Sequence, residues 1–369
     1  MPKLPGLVGR AGELSRLADL VTVAADGNPG LALLSGEAGA GKTRLLDELV
    51  GRVPRRTIVC RGTGVGFLGG RIPYAPLIAA LRSLLARLPR DDVARVLGPD
   101  PSDLALLLPE LGPRAETASD QARLIASVSS VFDRAAELRP TLLVVDDLHF
   151  ADVATLEMLA FLCAALDQQR LAVVVAYRPD EARDLLGEWL ADRRRARGVI
   201  EVALGPLSHD EIREQLSDLL GSDAQEALGT DLVARIHARS GGNPYVAEAL
   251  MRAALAGDAD TLPASLREVL VGRTRDCGPC AAELLRIVAV AGERVAPSLL
   301  AEVVAARSGS ADVQLRAAKL DAALDEATKA QLLDVEPDGV VSLRHALLGE
   351  ALYADLLPGE RRSIHGSLA

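Results

Sequence analysis

The feature that most constrains the fold of this chain is a glycine-rich segment, Gly36-Glu37-Ala38-Gly39-Ala40-Gly41-Lys42-Thr43. It fits the pattern GxxxxGK[ST], in which the backbone N–H groups of a strand–loop–helix junction surround phosphate oxygens. The apolar run Leu31–Leu34 before it is typical of a buried strand, and the apolar spacing over Arg44–Val50 is typical of a helix. Lysine is rare in this chain, which argues against a chance match. The segment therefore predicts a site for a nucleoside triphosphate.

Two side chains of this segment carry specific expectations. Lys42 is expected to reach the β- and γ-phosphates, and the Thr43 hydroxyl is expected to bind Mg²⁺. Further contacts with ATP or ADP are expected from the loop and the first helical turn, namely Gly36, Ala38, Gly39, Ala40, Gly41 and Arg44.

A second apolar run, Leu142–Val145, ends in two carboxylates, Asp146 and Asp147. The carboxyl ends of parallel strands meet at one edge of a sheet, so these acids are expected beside the phosphate-binding loop. Asp146 is predicted to hold Mg²⁺ through its water shell, and Asp147 to orient or deprotonate the attacking water. The alternative is an acidic turn that merely follows a strand.

Three further polar residues follow the predicted strands. Arg178 is a candidate catalytic residue that would contact the γ-phosphate, or else a partner in a structural ion pair. His149 and Asp152 either shape the site or cap the next helix, since short polar residues favour helix N-termini.

The order of elements predicts an α/β P-loop NTPase fold of the ASCE/AAA-like type. Apolar runs without alternation are typical of strands buried on both faces, hence of a parallel sheet. Five such strands are predicted, at 31–35, 57–60, 141–145, 171–176 and 199–202. A long helical insert is expected between the second and the third of them.

The chain is predicted to contain four segments. They are an N-terminal linker (1–30), a P-loop ATPase core (31–205), a helical domain (206–260) and a winged-helix-like domain (261–369). Ser208 is a predicted N-cap, and Pro337-Asp338-Gly339 predicts a hairpin turn. Cys277-Gly278-Pro279-Cys280 is typical either of a thioredoxin-like redox motif or of a junction between two helices; the helical residues before it favour the junction.

Charge and composition exclude several functions. A net charge of −10 and a pI near 5.2 argue against this chain binding the DNA backbone by itself. No apolar stretch is long enough to span a bilayer, and no signal-type segment follows Met1, so a cytoplasmic protein without a membrane partner is expected. Four cysteines in a chain of 369 residues predict no disulfide framework.

Several motifs together resemble a known family, the ATPase module of large ATP-binding LuxR-type, MalT-like transcriptional regulators. These regulators belong to the STAND class of signal-transducing P-loop ATPases. The motifs that carry the resemblance are Leu7-Val8-Gly9-Arg10 with Glu13-Leu14, GEAGAGKT, VVDDLHFAD (144–152), AYRPDE (176–181), Ser240-Gly241-Gly242-Asn243-Pro244 and Leu343-Arg344-His345-Ala346-Leu347.

The resemblance implies additional site residues. Val8, Gly9 and Arg10 would contact adenine, Pro244 would press on the base, and His345 would touch the β-phosphate of ADP. A histidine that only packs beside the hairpin is the alternative for His345. Relatives continue into helical repeats and a C-terminal helix-turn-helix domain, so DNA would be bound only through a domain beyond this chain.

The resemblance favours a regulatory switch in which ADP holds the module closed. ATP, together with a small-molecule or protein inducer, would open it for self-association. Because the second acid is Asp147 rather than glutamate, only weak ATPase activity is expected. Two alternatives remain at this point: an AAA+ type ATPase that remodels a client protein, and a small-molecule kinase.

Overall fold

The protein is described by a computed structural model covering residues 6–67, 70–113, 121–182, 184–220, 229–257, 261–275, 277–292, 294–308 and 313–368. The chain divides into two compact units. The N-terminal unit is Leu7–Gly205, and the C-terminal unit contains Pro206–Ala369. The sequence-based division of the latter at residue 260 stays a prediction.

The N-terminal unit is built on a parallel sheet whose strands alternate with helices. The strands are β1 (Gly30–Gly36), β2 (Ile58–Thr63), the short antiparallel pair β3 (Gly66–Phe67) and β4 (Gly70–Arg71), β5 (Thr141–Asp146), β6 (Leu171–Tyr177) and β7 (Val199–Leu204). Five of them form the sheet in the order β2-β5-β6-β1-β7. All pairs in this sheet are parallel, so the carboxyl ends of β1 and β5 lie at one edge.

Seven α-helices accompany this sheet within the described residues. They are α1 (Ala11–Ala25), α2 (Lys42–Arg52), α3 (Ala75–Leu85), α4 (Arg90–Leu97), α5 (Gln121–Leu138), α6 (Val153–Ala164) and α7 (Asp184–Arg193). Within the predicted N-terminal linker (1–30), α1 buries Leu14 and Leu17.

Each central strand of the sheet contributes side chains to two separate apolar cores. Along β5, Leu143 and Val145 pack into one core, and Leu142 and Val144 pack into the other. This follows from the two-residue repeat of a strand, which sends successive side chains to opposite faces. Because both faces are covered, the strands are continuous apolar runs without alternation. The five predicted strands and the α/β P-loop NTPase fold are confirmed.

The C-terminal unit is mainly helical. Its helices are α8 (His209–Leu220), α9 (Thr230–Ser240), α10 (Pro244–Leu255), α11 (Ala264–Gly272), α12 (Pro279–Ala291), α13 (Pro297–Ser308), α14 (Val313–Lys329), α15 (Ala346–Asp355) and α16 (Pro358–Leu368). Ser208 caps α8 as predicted: the Glu211 N–H donates to Ser208 Oγ at 3.3 Å, and the Ser208 N–H donates to the Glu211 carboxylate at 2.7 Å.

A small β-element completes the C-terminal unit. The predicted hairpin is present as β8 (Leu333–Val335) and β9 (Val341–Leu343), which pair antiparallel. Val295, between α12 and α13, forms a further antiparallel bridge to Val341. Cys277-Gly278-Pro279-Cys280 connects α11 to α12, as the junction interpretation predicted, and none of the four cysteines, which all lie in the described residues, forms a disulfide. None of the helices in the described residues is long and apolar enough to cross a bilayer.

Candidate nucleotide-binding site

The phosphate-binding loop follows β1 and turns directly into α2. Gly39 and Gly41 have φ values of 81° and 95°, in the left-handed region that side chains disfavour. A Cβ on Gly36 would lie 3.1 Å from the Leu204 Cβ and 3.3 Å from the Ala40 Cβ. The glycines of the motif are therefore required by the backbone path, and peptide N–H groups at the start of a helix form a favourable site for an anion.

Lys42 folds back over this loop. Its ammonium donates to the Gly36 carbonyl oxygen at 2.7 Å and to the Glu37 carbonyl oxygen at 2.9 Å. Burial and the nearby Arg178 guanidinium lower the pKa of Lys42, against the opposing charges of Asp147 and Asp146. The ammonium has thus lost much of its water and is held in the loop, where its charge acts strongly on an incoming phosphate.

Thr43 and Asp146 meet across the edge of the sheet. The Thr43 hydroxyl donates to Asp146 Oδ2 at 2.9 Å, and the Asp147 N–H donates to Asp146 Oδ1 at 3.0 Å. Asp146 is buried, with 2% of its surface exposed, whereas Thr43 is exposed. A hydroxyl and a carboxylate oxygen side by side fit the oxygen ligation that Mg²⁺ requires.

The oxygens of Thr43 and Asp146 do not make a closed metal cage. Among the described residues there is no group of three or more His, Cys, Asp or Glu side chains suited to a metal ion. A magnesium ion held here would take its remaining ligands from water and phosphate, as this ion commonly does. Its chemical contribution would be to neutralise phosphate charge.

Asp147 lies at the turn that ends β5. Its φ of 51° is left-handed, a conformation that aspartate tolerates better than most residues. Burial, followed by the charge of Asp146, raises the pKa of Asp147, while Arg178 and Lys42 act in the opposite direction. A raised pKa makes this carboxylate a stronger base near neutral pH, which suits the predicted contact with water.

A glycine on the neighbouring segment makes room for this turn. The Gly64 N–H donates to the Asp146 carbonyl oxygen at 2.8 Å, and a Cβ on Gly64 would collide with the Asp147 carbonyl oxygen. Sequence reasoning missed Gly64, although the alternation Gly62-Thr63-Gly64-Val65-Gly66 after a predicted strand was a signal for close backbone approach.

Beyond Asp147 lies a cluster formed by His149, Arg178 and Glu181. His149 is 2% exposed, and its Nε2 lies 3.8 Å from Asp147 Oδ1 and 3.5 Å from Glu181 Oε2. Neither ring nitrogen of His149 has a hydrogen-bond partner among the described residues. Burial, then the charges of Arg178 and Lys42, lower the pKa of His149 to about 3, so the ring is neutral at physiological pH.

Arg178 is oriented by Glu181, three residues further on. Arg178 Nη1 donates to Glu181 Oε1 at 2.7 Å. The ion pair predicted as the alternative role of Arg178 is therefore present, and its contact with the γ-phosphate stays a prediction. Asp152 is a helix cap: its carboxylate accepts from the N–H groups of Ala154 and Thr155 at the start of α6.

The N-terminal candidates lie in the same unit as the loop. Gly9 has a φ of 67°, Val8 is buried, and Arg10 immediately precedes α1. The Arg10 guanidinium donates to the Gly205 carbonyl oxygen and to Glu13. Arg10 therefore fastens the segment before α1 to the residue after β7, and an adenine contact of Val8, Gly9 and Arg10 stays a prediction.

Pro244 and His345 belong to the C-terminal unit. Pro244 is the first residue of α10, whose N-cap Asn243 accepts from the Tyr245 and Val246 N–H groups. His345 immediately precedes α15 and follows β9. The nucleotide contacts that the resemblance implies for Pro244 and His345 stay predictions.

Comparison with known proteins places the N-terminal unit among ATPase domains. Residues 6–175 match the family described as AAA ATPase domain. An uncharacterized protein of Rhizobium meliloti (strain 1021) is 25% identical over 98% of this chain, which spans 36% of that protein's length.

Two solved structures share the fold. The Walker-type ATPase of Pyrococcus abyssi is similar with a TM-score of 0.62 at 18% identity, over 95% of this chain and 98% of its own. The ORC2 protein of Aeropyrum pernix, solved in ADPNP–ADP complexes, is similar with a TM-score of 0.59 at 14% identity, over 100% of this chain and 96% of its own. The N-terminal unit thus has the fold of a P-loop ATPase domain, and most of it matches the family described as AAA ATPase domain.

Proposed function

We propose that this chain is a switch module of a transcriptional regulator of the STAND class, operated by ATP and ADP with Mg²⁺. In this proposal the N-terminal unit binds the nucleotide and hydrolyses ATP slowly. Exchange of ADP for ATP, together with an inducer, then allows self-association. The observation that carries the proposal is a contrast between two halves of the site. In the binding half, Lys42, Thr43 and Asp146 are hydrogen-bonded to one another or to the loop. In the hydrolytic half around Asp147, both His149 ring nitrogens and Arg178 Nε have no hydrogen-bond partner among the described residues.

Nucleotide binding is supported by the geometry of the loop. The Lys42 ammonium, held by two loop carbonyls, can exchange these weak neutral acceptors for charged phosphate oxygens. The Thr43 hydroxyl and Asp146 Oδ2 lie 2.9 Å apart, as two oxygen ligands of one magnesium ion would. The match of residues 6–175 to the AAA ATPase domain supports the same proposal.

Slow hydrolysis is supported by the second half of the site. Asp147 has a shorter side chain than glutamate, and its histidine neighbour lies 3.8 Å away, beyond hydrogen-bond distance. Arg178 is drawn to Glu181. Catalysis by a general base requires hydrogen-bond reach to the proton that is removed, so the shorter reach of an aspartate supports a low rate.

A switch also needs a part that responds to the nucleotide, and we assign this part to the winged-helix-like domain. The order in the C-terminal unit supports it: α12, the bridge residue Val295, α13, α14, then the hairpin of β8 and β9. The resemblance gives His345, which follows β9, a role in retaining ADP.

This assignment is tested by the release of a fluorescent ADP analogue in a stopped-flow instrument. One hydrogen bond to a charged phosphate oxygen is worth about 1.5–3 kcal/mol, so His345→Ala should release ADP at least about tenfold faster than the wild type. Cys277→Ser, in the same unit, is the control and should release ADP at the wild-type rate. Equal rates for wild type and His345→Ala would reject the role of His345.

A further inference from the structure

Arg61, near the end of β2, lies between two acidic side chains of the N-terminal unit. Its Nη2 is 3.2 Å from Asp146 Oδ2, and its Nη1 is hydrogen-bonded to Asp47 Oδ1. The arginine side chain is 29% exposed, between the buried Asp146 (2%) and the open Asp47 (58%). One guanidinium therefore joins the carboxylate that ends β5 to a carboxylate on α2.

The contact with Asp146 involves one particular oxygen. Oδ2 accepts from both the Thr43 hydroxyl and Arg61, whereas Oδ1 is taken by the Asp147 N–H. Oδ2 is the oxygen beside Thr43, where a magnesium ion would find its protein oxygens. A guanidinium and a divalent cation that need the same negative oxygen compete for it, because each adds positive charge where the other must sit.

Asp47 acts on the same guanidinium from the opposite side. It lies four residues after Thr43 on α2, so both side chains project from one face of the helix. Its carboxylate accepts from Nη1 of the same guanidinium and therefore offsets part of the positive charge that Arg61 presents to Asp146. Loss of this carboxylate would leave Arg61 to Asp146 alone.

We propose that Arg61 sets the magnesium affinity of the nucleotide site by competing for Asp146 Oδ2, and that Asp47 moderates this competition. The inference rests on the proposed nucleotide binding and adds a regulatory feature to it. It makes Arg61 a positioning residue: the arginine acts on the ion through Asp146. In the absence of magnesium the arginine charge compensates the buried carboxylate, so the site tolerates the loss of the ion.

The competition predicts opposite effects for two substitutions in one cluster. Arg61→Gln should lower the magnesium concentration required for half-saturation by about tenfold, equivalent to about 1.4 kcal/mol. Asp47→Asn should raise the same concentration severalfold, because it removes the carboxylate charge that offsets the charge of Arg61. If Arg61 only stabilised the packing of α2 against the sheet, both substitutions would disturb the geometry of the site and weaken magnesium binding alike.

The experiment follows a fluorescent ADP analogue bound to the full chain while MgCl₂ is titrated, with no measurement of turnover. Arg52→Gln is the matched control, because Arg52 forms an exposed pair with Glu48 on the same helix. It lies nine residues beyond Thr43, about 13 Å along the helix axis, so its charge is largely screened at the site. The control should keep the wild-type magnesium dependence.

Each outcome decides the inference. A lower requirement in Arg61→Gln with a higher one in Asp47→Asn supports it. Should Arg61→Gln fail to fold, Arg61→Met, which keeps most of the side-chain volume without the charge, takes its place with the same expected decrease. Unchanged half-saturation in the folded variants, or weaker magnesium binding in both, overturns the inference while leaving nucleotide binding intact. Failure of the wild type to bind the analogue at any magnesium concentration would overturn the proposed function, and this inference with it.

Discussion

The two halves of the nucleotide site differ in how their polar groups are satisfied. On the binding half, the Lys42 ammonium, the Thr43 hydroxyl and both Asp146 oxygens have hydrogen-bond partners. On the hydrolytic half, both His149 nitrogens and Arg178 Nε are buried without hydrogen-bond partners among the described residues. The polar groups of the binding half are thus held in place by hydrogen bonds, whereas the buried polar atoms without partners in the hydrolytic half lower the stability of the folded protein.

This difference has a physical meaning for function. A buried polar group that lacks a partner costs about 1–3 kcal/mol, and native proteins contain few of them. A nucleotide phosphate or water that enters the hydrolytic half would complete the hydrogen bonds of His149 and Arg178. That arrangement suits a module that binds nucleotide readily and hydrolyses it slowly.

The largest expected effect is on the binding half. Lys42→Ala removes the ammonium that faces the β- and γ-phosphates, so the affinity for ATP and ADP should fall by at least about tenfold, or 1.4 kcal/mol. Isothermal titration calorimetry measures this directly. Lys319→Ala, which removes an exposed lysine of α14, is the control and should bind as the wild type does. Undiminished binding by Lys42→Ala would refute the assignment of the loop.

A smaller effect is expected on the hydrolytic half and concerns stability at acidic pH. The folded protein holds the pKa of His149 at about 3, against an ordinary value of 6.5. Below pH 6.5 the unfolded chain therefore takes up a proton that the folded protein refuses, so stability is lost as the pH falls. The loss attributable to His149 should be about 1.4 kcal/mol at pH 5.5.

Thermal unfolding at pH 7.5 and pH 5.5 measures this loss. His149→Gln cannot take up the proton, so its Tm should fall less between the two pH values than the wild-type Tm does. His365→Gln changes an exposed histidine and should show the wild-type difference. The contrast between the two halves would be weakened if His149→Gln and the wild type lost stability equally.

The sequence predicted one half of this site far better than the other. The loop is fixed by backbone geometry, which Gly36, Gly41, Lys42 and Thr43 encode at constant spacing, and the apolar run before Asp146 identified its strand. The parallel sheet followed from apolar runs in the same way.

The rest depends on side chains that tertiary packing brings together. Arg61 and Asp47 are unremarkable in sequence, yet they converge on Asp146 because β2 pairs with β5 and α2 follows the loop. Glu181 lies 3.5 Å from His149 only because β5 and β6 are paired and end at one edge of the sheet. No local pattern encodes such contacts, so sequence reasoning could not find them.

The most direct test of this account is ATP turnover by the wild-type chain, measured beside its affinity for ATP. The account predicts tight binding with turnover well below about 10 per second, a typical value for enzymes. Asp147→Asn should lower this turnover further and leave ATP binding largely intact. Turnover near or above about 10 per second in the wild type would contradict the account and favour an ATPase that remodels a client protein by repeated hydrolysis.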